Sequence, residues 1–423
     1  TDNQGQFGLE LSQDARLQGI NGSRTVDVAG DGYLIPGSTR DVHPAVNGDS
    51  YELTIDLDAQ TYVQQALQQA REKSGAKSAS AVVMDSKTGE IVAMGSSDSV
   101  DPNGDIEKQL KRKKVFGDRA TADSFEPGSV AKIMTAAAAI QEGKTTPDEV
   151  LKVPGSIDMA GVTVKDAWEH GEVPYTTTGV FGKSSNVGTL MLAERVGEEK
   201  MYEYFRKFGV GQAAGVGLPY EVAGYMPELN QWSGGTFANL PIGQGMSMSL
   251  LQMTSIYQAL ANDGVRVEPR LINKITSSDG AELATDPAKE TRVVSPETAR
   301  TTVDMFRAVT QKDETGVQQG SGAPAAIEGY QVSGKTGTAQ QIDPDTGAYS
   351  NSAYWINFAG IAPADKPRFV VGIMLDNPQR GTDGGAGGSA APLFHDIMAW
   401  MLDHYNVPLS KEAGPKLMLE AKE

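Results

Sequence analysis

The chain has 423 residues, 54 of them acidic and 37 basic, for a formal net charge of −17 with 39% apolar and 22% charged side chains. That length and composition support two or three folded domains, and the acidic balance excludes the basic footprint of a nucleic-acid binder and broad adhesion to anionic lipid. The absence of cysteine excludes disulfides and thiolate metal sites. No run of about 18 apolar residues marks a membrane span, and no basic-then-apolar leader opens the chain. Any membrane anchor is therefore expected outside these residues.

In chain order, residues 1–49 are rich in Gly, Asp and Asn with short apolar touches, which predicts a small β-rich module of turns and short strands. Tyr62, Val63, Ala66, Leu67 and Ala70 recur at helical spacing, so a helix is expected over 58–73 with Asp58 as its cap. Residues 80–84 and 90–94 alternate around the turn Asp85-Ser86-Lys87-Thr88-Gly89 and read as a hairpin. The polar stretch 98–118 holds the densest basic run, Lys108 to Lys114, and reads as a solvated loop rather than a docking patch. Pro127-Gly128 breaks the chain before a helix expected over 129–141. Helices are expected to dominate 177–208 and 246–262, where Leu and Met recur every three or four residues. Residues 355–361 and 369–375 read as strands joined by the turn at 363–367, a helix is expected over 391–404, and the polar tail 410–423 is expected to be loose. Strands at both ends with helices between them predict one large α/β (α+β) domain over 50–409.

Three short patterns carry chemistry: Ser129-Val130-Ala131-Lys132, Ser184-Ser185-Asn186 and Lys335-Thr336-Gly337-Thr338. Singly they are weak. Ser74-Gly75-Ala76-Lys77 repeats the first and Lys87-Thr88-Gly89 the last, but these copies fall in a polar helix exit and a hairpin turn. Ser129 instead opens a helix, where unpaired backbone N–H groups point outward. A serine hydroxyl is a poor nucleophile until a neighbour takes its proton. Lys132 lies nearly one helical turn away, on the same face. Lysine acts as a base only when neutral, and from a reference pKa of about 10.4 neutrality at pH 7 costs about 4.6 kcal/mol. Burial and a second cation lower that pKa, and Lys335 is the expected second cation.

The order and wide separation of these motifs resemble the class B penicillin-binding proteins, members of the active-site serine penicillin-recognising enzymes. The resemblance runs through almost the whole chain. Gly8-Leu9-Glu10 with Leu17-Gln18-Gly19 is similar to the family's N-terminal pedestal signature, and Leu53-Thr54-Ile55-Asp56 to the opening of its transpeptidase domain. Glu126-Pro127-Gly128-Ser129, Gly243-Gln244-Gly245, Phe358-Ala359-Gly360 and Ala390-Ala391-Pro392 match further landmarks. Ser184 to Gly188 is most similar to the division-specific FtsI type, and the C-terminal strands suggest an actinobacterial member. Asp118 departs from the family's usual Asn.

The resemblance implies a penicillin-binding transpeptidase fold, an antiparallel sheet flanked by helices, with residues 1–49 forming part of the pedestal. It implies that Ser129 attacks the penultimate D-Ala carbonyl of a peptidoglycan stem peptide, with Lys132 as its base. Ser184, with Lys335, relays the proton to the departing D-Ala amine. Asn186 bonds the substrate amide, and Lys335, Thr336, Gly337 and Thr338 line the place of the terminal carboxylate. The backbone N–H groups of Ser129 and Thr338 form the oxyanion hole, a term worth about 3–4 kcal/mol per donor. A second stem-peptide amine then attacks the acyl-enzyme, and β-lactams acylate the same serine and stall. No cofactor and no metal are implied. The implied partners are divisome proteins including a glycan polymerase, outside the cytoplasmic membrane.

Competing readings are weaker. Gly329 to Thr336 satisfies the Walker A pattern, but no apolar strand precedes it and Gly337 and Asp343-Pro344-Asp345 oppose a following helix. The Gly-rich run 381–388 lacks a Gly-Lys-Thr and reads as a flexible loop. His43, His170, His395 and His404 are scattered without ligand spacing; His170 either lines the cleft or is structural. Ser129 lacks the G-x-S-x-G of an α/β-hydrolase. A D,D-carboxypeptidase, a β-lactamase and a β-lactam-sensing receptor share the fold, but no class A deacylation glutamate is evident. An intact motif set opposes a pure scaffold.

Overall fold

Every residue from Phe369 to Asp376 is buried, which a strand shows only where both of its faces are covered. This strand is the centre of the larger of two compact units in the computed structural model, which describes residues 4–343, 345–379 and 388–421. In chain order that unit's framework is helix α1 (Leu57–Ser74), strands β1 (Ser78–Asp85) and β2 (Ile91–Ser96), helix α2 (Lys132–Gln141), helices α3 (Thr177–Lys183), α4 (Asn186–Val196) and α5 (Leu250–Ala261), strands β3 (Ser333–Ile342), β4 (Tyr349–Ala362) and β5 (Phe369–Asp376), and helix α6 (Ala390–His404). The sheet order is β3-β4-β5-β1-β2, antiparallel throughout. Hairpins from opposite ends of the chain therefore meet in one sheet, as the expected transpeptidase fold requires.

The pleat sorts the two layers. Phe358, Val371 and Ile373 face a core shared with Val63 and Leu67 of α1 and Phe394 and Met398 of α6, where the Phe358 and Phe394 rings stand 4.6 Å apart. Gly372 lies on the opposite face, and a Cβ there would meet Thr254 Oγ1 of α5 at 2.1 Å. Glycine is what lets that buried helix lie directly on the sheet. Ser249 and Gln252 close a capping box at the start of α5.

The smaller unit takes in residues up to Thr54 together with Gly217–Pro219 and Leu271–Pro287. It holds a two-stranded pair, Ser23–Thr25 with Arg40–His43, and a three-stranded sheet in which Ile272–Thr276 lies between Ser50–Leu53 and Glu282–Leu283. Periodicity cannot reveal a module that recruits strands from the middle of the chain, so the boundary expected at 49 is replaced by a discontinuous unit.

Several local expectations are corrected. Asp56, not Asp58, caps α1, because its side chain accepts from the N–H groups of Asp58 and Ala59. The basic run is not all loop: Ile106–Lys111 is a short exposed helix capped by Asp105. Helix does not begin as α-helix at Ser129; a 3₁₀ turn, Gly128–Ala131, precedes α2. The stretch 177–208 is three helices, broken at Ser184 and Gly197. Ser333–Ile342 runs as strand straight through Lys335-Thr336, which removes the Walker reading. Most of the Gly-rich run, residues 381–387, lies outside the described residues.

As far as Ala421, the tail beyond 409 is not loose. Arg307 donates to the carbonyls of Ala413 and Pro415, and Lys416 pairs with Asp313 at 2.5 Å. Thr176 N–H donates to Leu419 O at 3.0 Å and Ala421 N–H to Pro174 O at 2.9 Å. The Leu419 side chain is fully buried against the face of α3 that carries Gly179 and Gly182. Three apolar residues, Leu417 to Leu419, in an otherwise polar stretch are too short a signal to predict that docking. We expect Leu419→Ala to destabilise the protein by about 2–5 kcal/mol, measured as a fall in urea midpoint at unchanged m-value.

Candidate active site

The Ser129 turn is built by backbone contacts. Gly128 N–H donates to Gly243 O at 3.0 Å, and a Cβ at Gly243 would strike Gly128 O at 2.0 Å. Gly128 has φ +56, a conformation that glycine adopts without strain, and its Cβ position lies 3.1 Å from Thr338 O. Thr338 C=O therefore points toward this turn, and in a strand a residue's N–H and C=O point the same way. Because β3 is the edge strand, the Thr338 N–H opens outward beside Ser129, whose own N–H belongs to the unpaired first turn.

Ser129 is partly exposed in a cleft of 380 Å³ whose walls include Trp168, Lys183, Ser184, Asn186, Thr336 and Thr338. The cleft thus brings together the serine, the Ser-x-Asn motif and the Lys-Thr-Gly strand. Lys132 and Lys335 lie beneath it, each fully buried. The repeated motifs stay apart: Ser74 ends α1, bonding Ala70 O, and Lys87 sits on the β1–β2 turn.

Lys132 Nζ donates to Ser184 O at 2.7 Å and to Asn186 Oδ1 at 2.7 Å, with Ser184 Oγ at 3.4 Å. The local fold explains these partners. α3 ends at Ser184, which has φ +68, a left-handed residue where the chain reverses into α4. A non-glycine residue in this region costs about 1–2 kcal/mol, and the turn is locked by Ser185 N–H to Val180 O at 2.8 Å. The reversal presents the Ser184 carbonyl and hydroxyl to the lysine and sets Asn186 one residue beyond the Ser185 cap.

Burial pushes the Lys132 ammonium down to about 7, against the opposing pull of the Asp166 carboxylate. Such a lysine is half neutral at pH 7, which removes most of the about 4.6 kcal/mol that an exposed lysine requires. Of the two expected causes, burial and a second cation, burial leads at Lys132, and the repulsion falls on Lys335, held well below its usual range first by burial and then by the Lys132 charge. Lys335 Nζ donates to Thr336 O at 3.1 Å and Thr336 Oγ1 at 3.3 Å. Ser321 Oγ shares a 3.1 Å hydrogen bond with the same hydroxyl.

Two residues of the site, Asp166 and Asn357, escape a sequence reading, and His170, expected either to line the cleft or to be structural, joins them. Asp166 lies at the start of α4, beneath the Ser-x-Asn corner, and accepts from Ser185 Oγ and three other donors. His170 Nε2 donates to Asp166 Oδ2 at 2.9 Å and the ring is stacked with Trp168, so it is a support beneath the cleft. Asn357 of β4 faces Gly337: its Nδ2 donates to Pro127 O at 3.3 Å, and a Cβ at Gly337 would fall 1.8 Å from its Oδ1. Neither Asp166 nor Asn357 stands in a recognisable short pattern; the sheet register places Asn357 and the fold of the chain after the strand Val162–Lys165 places Asp166.

A five-stranded antiparallel sheet between helical layers, with a serine-lysine turn against its Lys-Thr-Gly edge, is the architecture of the active-site serine penicillin-recognising proteins. Residues 79–399 match the family described as penicillin binding protein transpeptidase domain, and the chain belongs to that family. It is 59% identical over 420 residues to the penicillin-binding protein PbpB of Mycolicibacterium smegmatis, covering 99% of this chain and 64% of that protein. It is 35% identical over 409 residues to the peptidoglycan D,D-transpeptidase FtsI of Escherichia coli K12, covering 96% of this chain and 64% of the relative. The solved structure of penicillin-binding protein 3 from Mycobacterium tuberculosis complexed with aztreonam is similar with a TM-score of 0.91 and 56% identity, covering 100% of this chain and 89% of that one. The FtsI-like and actinobacterial expectations agree with these likenesses. The chain spans just under two thirds of the length of the curated relatives it matches.

Lys132 also leaves a mark on stability. Its folded value near 7 lies below its ordinary value of 10.5, so between these pH values the unfolded chain binds more protons and this group makes stability rise with pH. Its contribution is fully present above about pH 10.5 and is lost as pH falls through about 7. We expect Lys132→Met to lack this rise, so that urea titrations at pH 7 and 9 show wild type gaining stability relative to the variant.

Proposed function

We propose that this chain is the catalytic portion of a peptidoglycan D,D-transpeptidase that cross-links stem peptides during septal wall synthesis through a Ser129 acyl-enzyme. The observation that carries this reading is the fully buried Lys132, pinned by Ser184 O and Asn186 Oδ1 one turn from the cleft-exposed Ser129. With two of its N–H groups held by fixed acceptors, the neutral amine has its lone pair free for a proton. Ser129 Oγ gives up that proton as it bonds to the penultimate D-Ala carbonyl. The oxyanion is stabilised by the Ser129 and Thr338 N–H groups, fixed dipoles that need no reorganisation.

The C–N bond then breaks, the D-Ala amine leaving with the proton relayed from Lys132 through Ser184 Oγ, 3.4 Å away. Lys335 with Thr336 and Thr338 holds the terminal carboxylate, whose negative charge favours the ammonium form of Lys335. The outward edge of β3 pairs the donor peptide, and Gly337 keeps the strand close to the turn. Asn186 Nδ2 already bonds Lys165 O at 3.0 Å, so its second N–H is the one for a substrate carbonyl. An amine of a second stem peptide then attacks the ester and releases Ser129.

The relatives support this reading: one is named a peptidoglycan D,D-transpeptidase, and structures of another are complexes with aztreonam and ampicillin. By the same chemistry β-lactams are taken up covalently at Ser129. No described helix is long and apolar enough to cross a membrane; the proposed location is the outer face of the cytoplasmic membrane, held by a segment beyond these residues, beside divisome proteins including a glycan polymerase.

Intact-protein mass spectrometry with penicillin tests the centre of the proposal. One adduct per chain is expected, mapping to Ser129 and absent in Ser129→Ala; a wild-type protein left unmodified after long exposure sinks it. Because Lys132 must be neutral, the acylation rate should rise with pH through about 7 and level off above, read by stopped-flow or gel-based penicillin labelling.

A further inference from the structure

We propose that Asp166 is a positioning residue of the acyl-transfer site, fixing in place the Ser-Ser-Asn corner whose Ser184 carbonyl and Asn186 side chain hold Lys132. This rests on the reading of Lys132 as the base of Ser129.

The geometry is that of a carboxylate used on both oxygens. Oδ1 accepts from Asn186 N–H at 2.5 Å and Val187 N–H at 3.0 Å. Oδ2 accepts from Ser185 Oγ at 2.7 Å and lies 2.9 Å from His170 Nε2. The Asp166 side chain is fully buried in this nest. The first two donors are the unpaired N–H groups that open α4, so the carboxylate occupies the favourable end of the helix dipole. The third, Ser185 Oγ, is itself the α4 cap, accepting from Gly188 N–H at 2.9 Å. Each bond fixes a residue on one side or the other of an acceptor that Lys132 uses. Ser184 O lies immediately before Ser185, and Asn186 carries Oδ1.

His170 holds the carboxylate from the other side. Its Nδ1 lies 2.7 Å from Gly171 O and its Nε2 2.9 Å from Asp166 Oδ2. Trp168 stacks on the ring and Tyr175 meets it edge-on. The charged and titratable groups facing Lys132 are thus Asp166, across the corner, and Lys335 from β3. Those facing Asp166 are His170, Tyr175 and Lys132.

Asp166 and burial act on Lys132 in opposite directions. Burial alone would lower the proton affinity of the amine further, and a weaker base gains less from taking a proton. The carboxylate raises its proton affinity back into the range where it is both available and basic. Removing the charge therefore has two separable effects. The corner loosens, which lowers the plateau rate, and the proton leaves Lys132 at lower pH, which moves the acid limb of the rate profile down.

The test is the pH profile of penicillin acylation for wild type and Asp166→Asn, each checked for folding by thermal melting. The expected result is a plateau lowered about tenfold or more together with an acid limb displaced to lower pH by about one unit. If Asp166→Asn does not fold, Asp166→Ser, which keeps a hydroxyl acceptor at the helix start, carries the same expectation. A folded variant whose acid limb stays at the wild-type pH overturns the proposal, whatever its plateau. Absence of acylation in wild type would instead defeat the underlying reading, so the two failures are distinguishable.

Discussion

A primary amine enclosed by protein on every side has few stable arrangements, and Lys132 is such an amine. Taken from water, an ammonium must be paired, hydrogen-bonded or deprotonated. Here two acceptors at 2.7 Å satisfy part of the group, Ser184 O and Asn186 Oδ1, while burial keeps the charge close to neutrality and Asp166 restrains it. The rest of the site follows from holding that balance. The left-handed turn at Ser184 supplies one acceptor, the capped start of α4 supplies the other, and the sheet edge supplies a second buried amine whose charge burial and Lys132 both oppose. A shift of any of these elements changes where the proton resides.

Close backbone approach makes the arrangement stiff. Gly128, Gly243 and Gly337 each stand where a Cβ would meet backbone or a buried amide, so the nucleophile turn, the 243–245 loop and β3 are packed to contact rather than spaced by side chains. Asn357 ties the two sides together, lying under Gly337 and donating to Pro127 O. Its Oδ1 is buried without a hydrogen-bond partner among the described residues, a polar group retained at the proposed functional centre where an apolar one would pack at less expense. Behind α3, Leu419 and the hydrogen-bonded tail brace the helix whose end is Ser184. Interiors at such density transmit small displacements, which is how a C-terminal strap comes to matter for a corner in the cleft.

Much of this protein was legible in its residues. Alternation and turn chemistry located both hairpins, helical spacing located α1, α2 and α6, and the Pro-Gly break separated Ser129 from its duplicate at Ser74. The three motifs picked out the proposed nucleophile, the two lysines, Ser184 and Asn186, because acyl transfer restricts residue type and because a proposed base one turn from its nucleophile is a local relation. Other features involve residues far apart in sequence and have no local signature. Asp166 directly follows the strand Val162–Lys165, 19 residues before Ser185, and meets the start of α4 only once the chain has folded back on it. The pairing of β5 with β1 joins residues nearly three hundred positions apart, and the smaller unit borrows strands from 271–287.

By itself, then, the sequence determined which atoms can perform chemistry and which segments are strands and helices, since both depend on side-chain identity and short-range spacing. Only the tertiary structure decided the state of those atoms. Whether Lys132 is a base or a cation depends on the water removed around it and on the charges brought near it, and both are properties of the packed layers rather than of any neighbouring residue. The tail makes the same point on the side of stability: read as polar it should float, but one leucine finds a groove floored by glycines and the backbone on both sides of it is hydrogen-bonded into place.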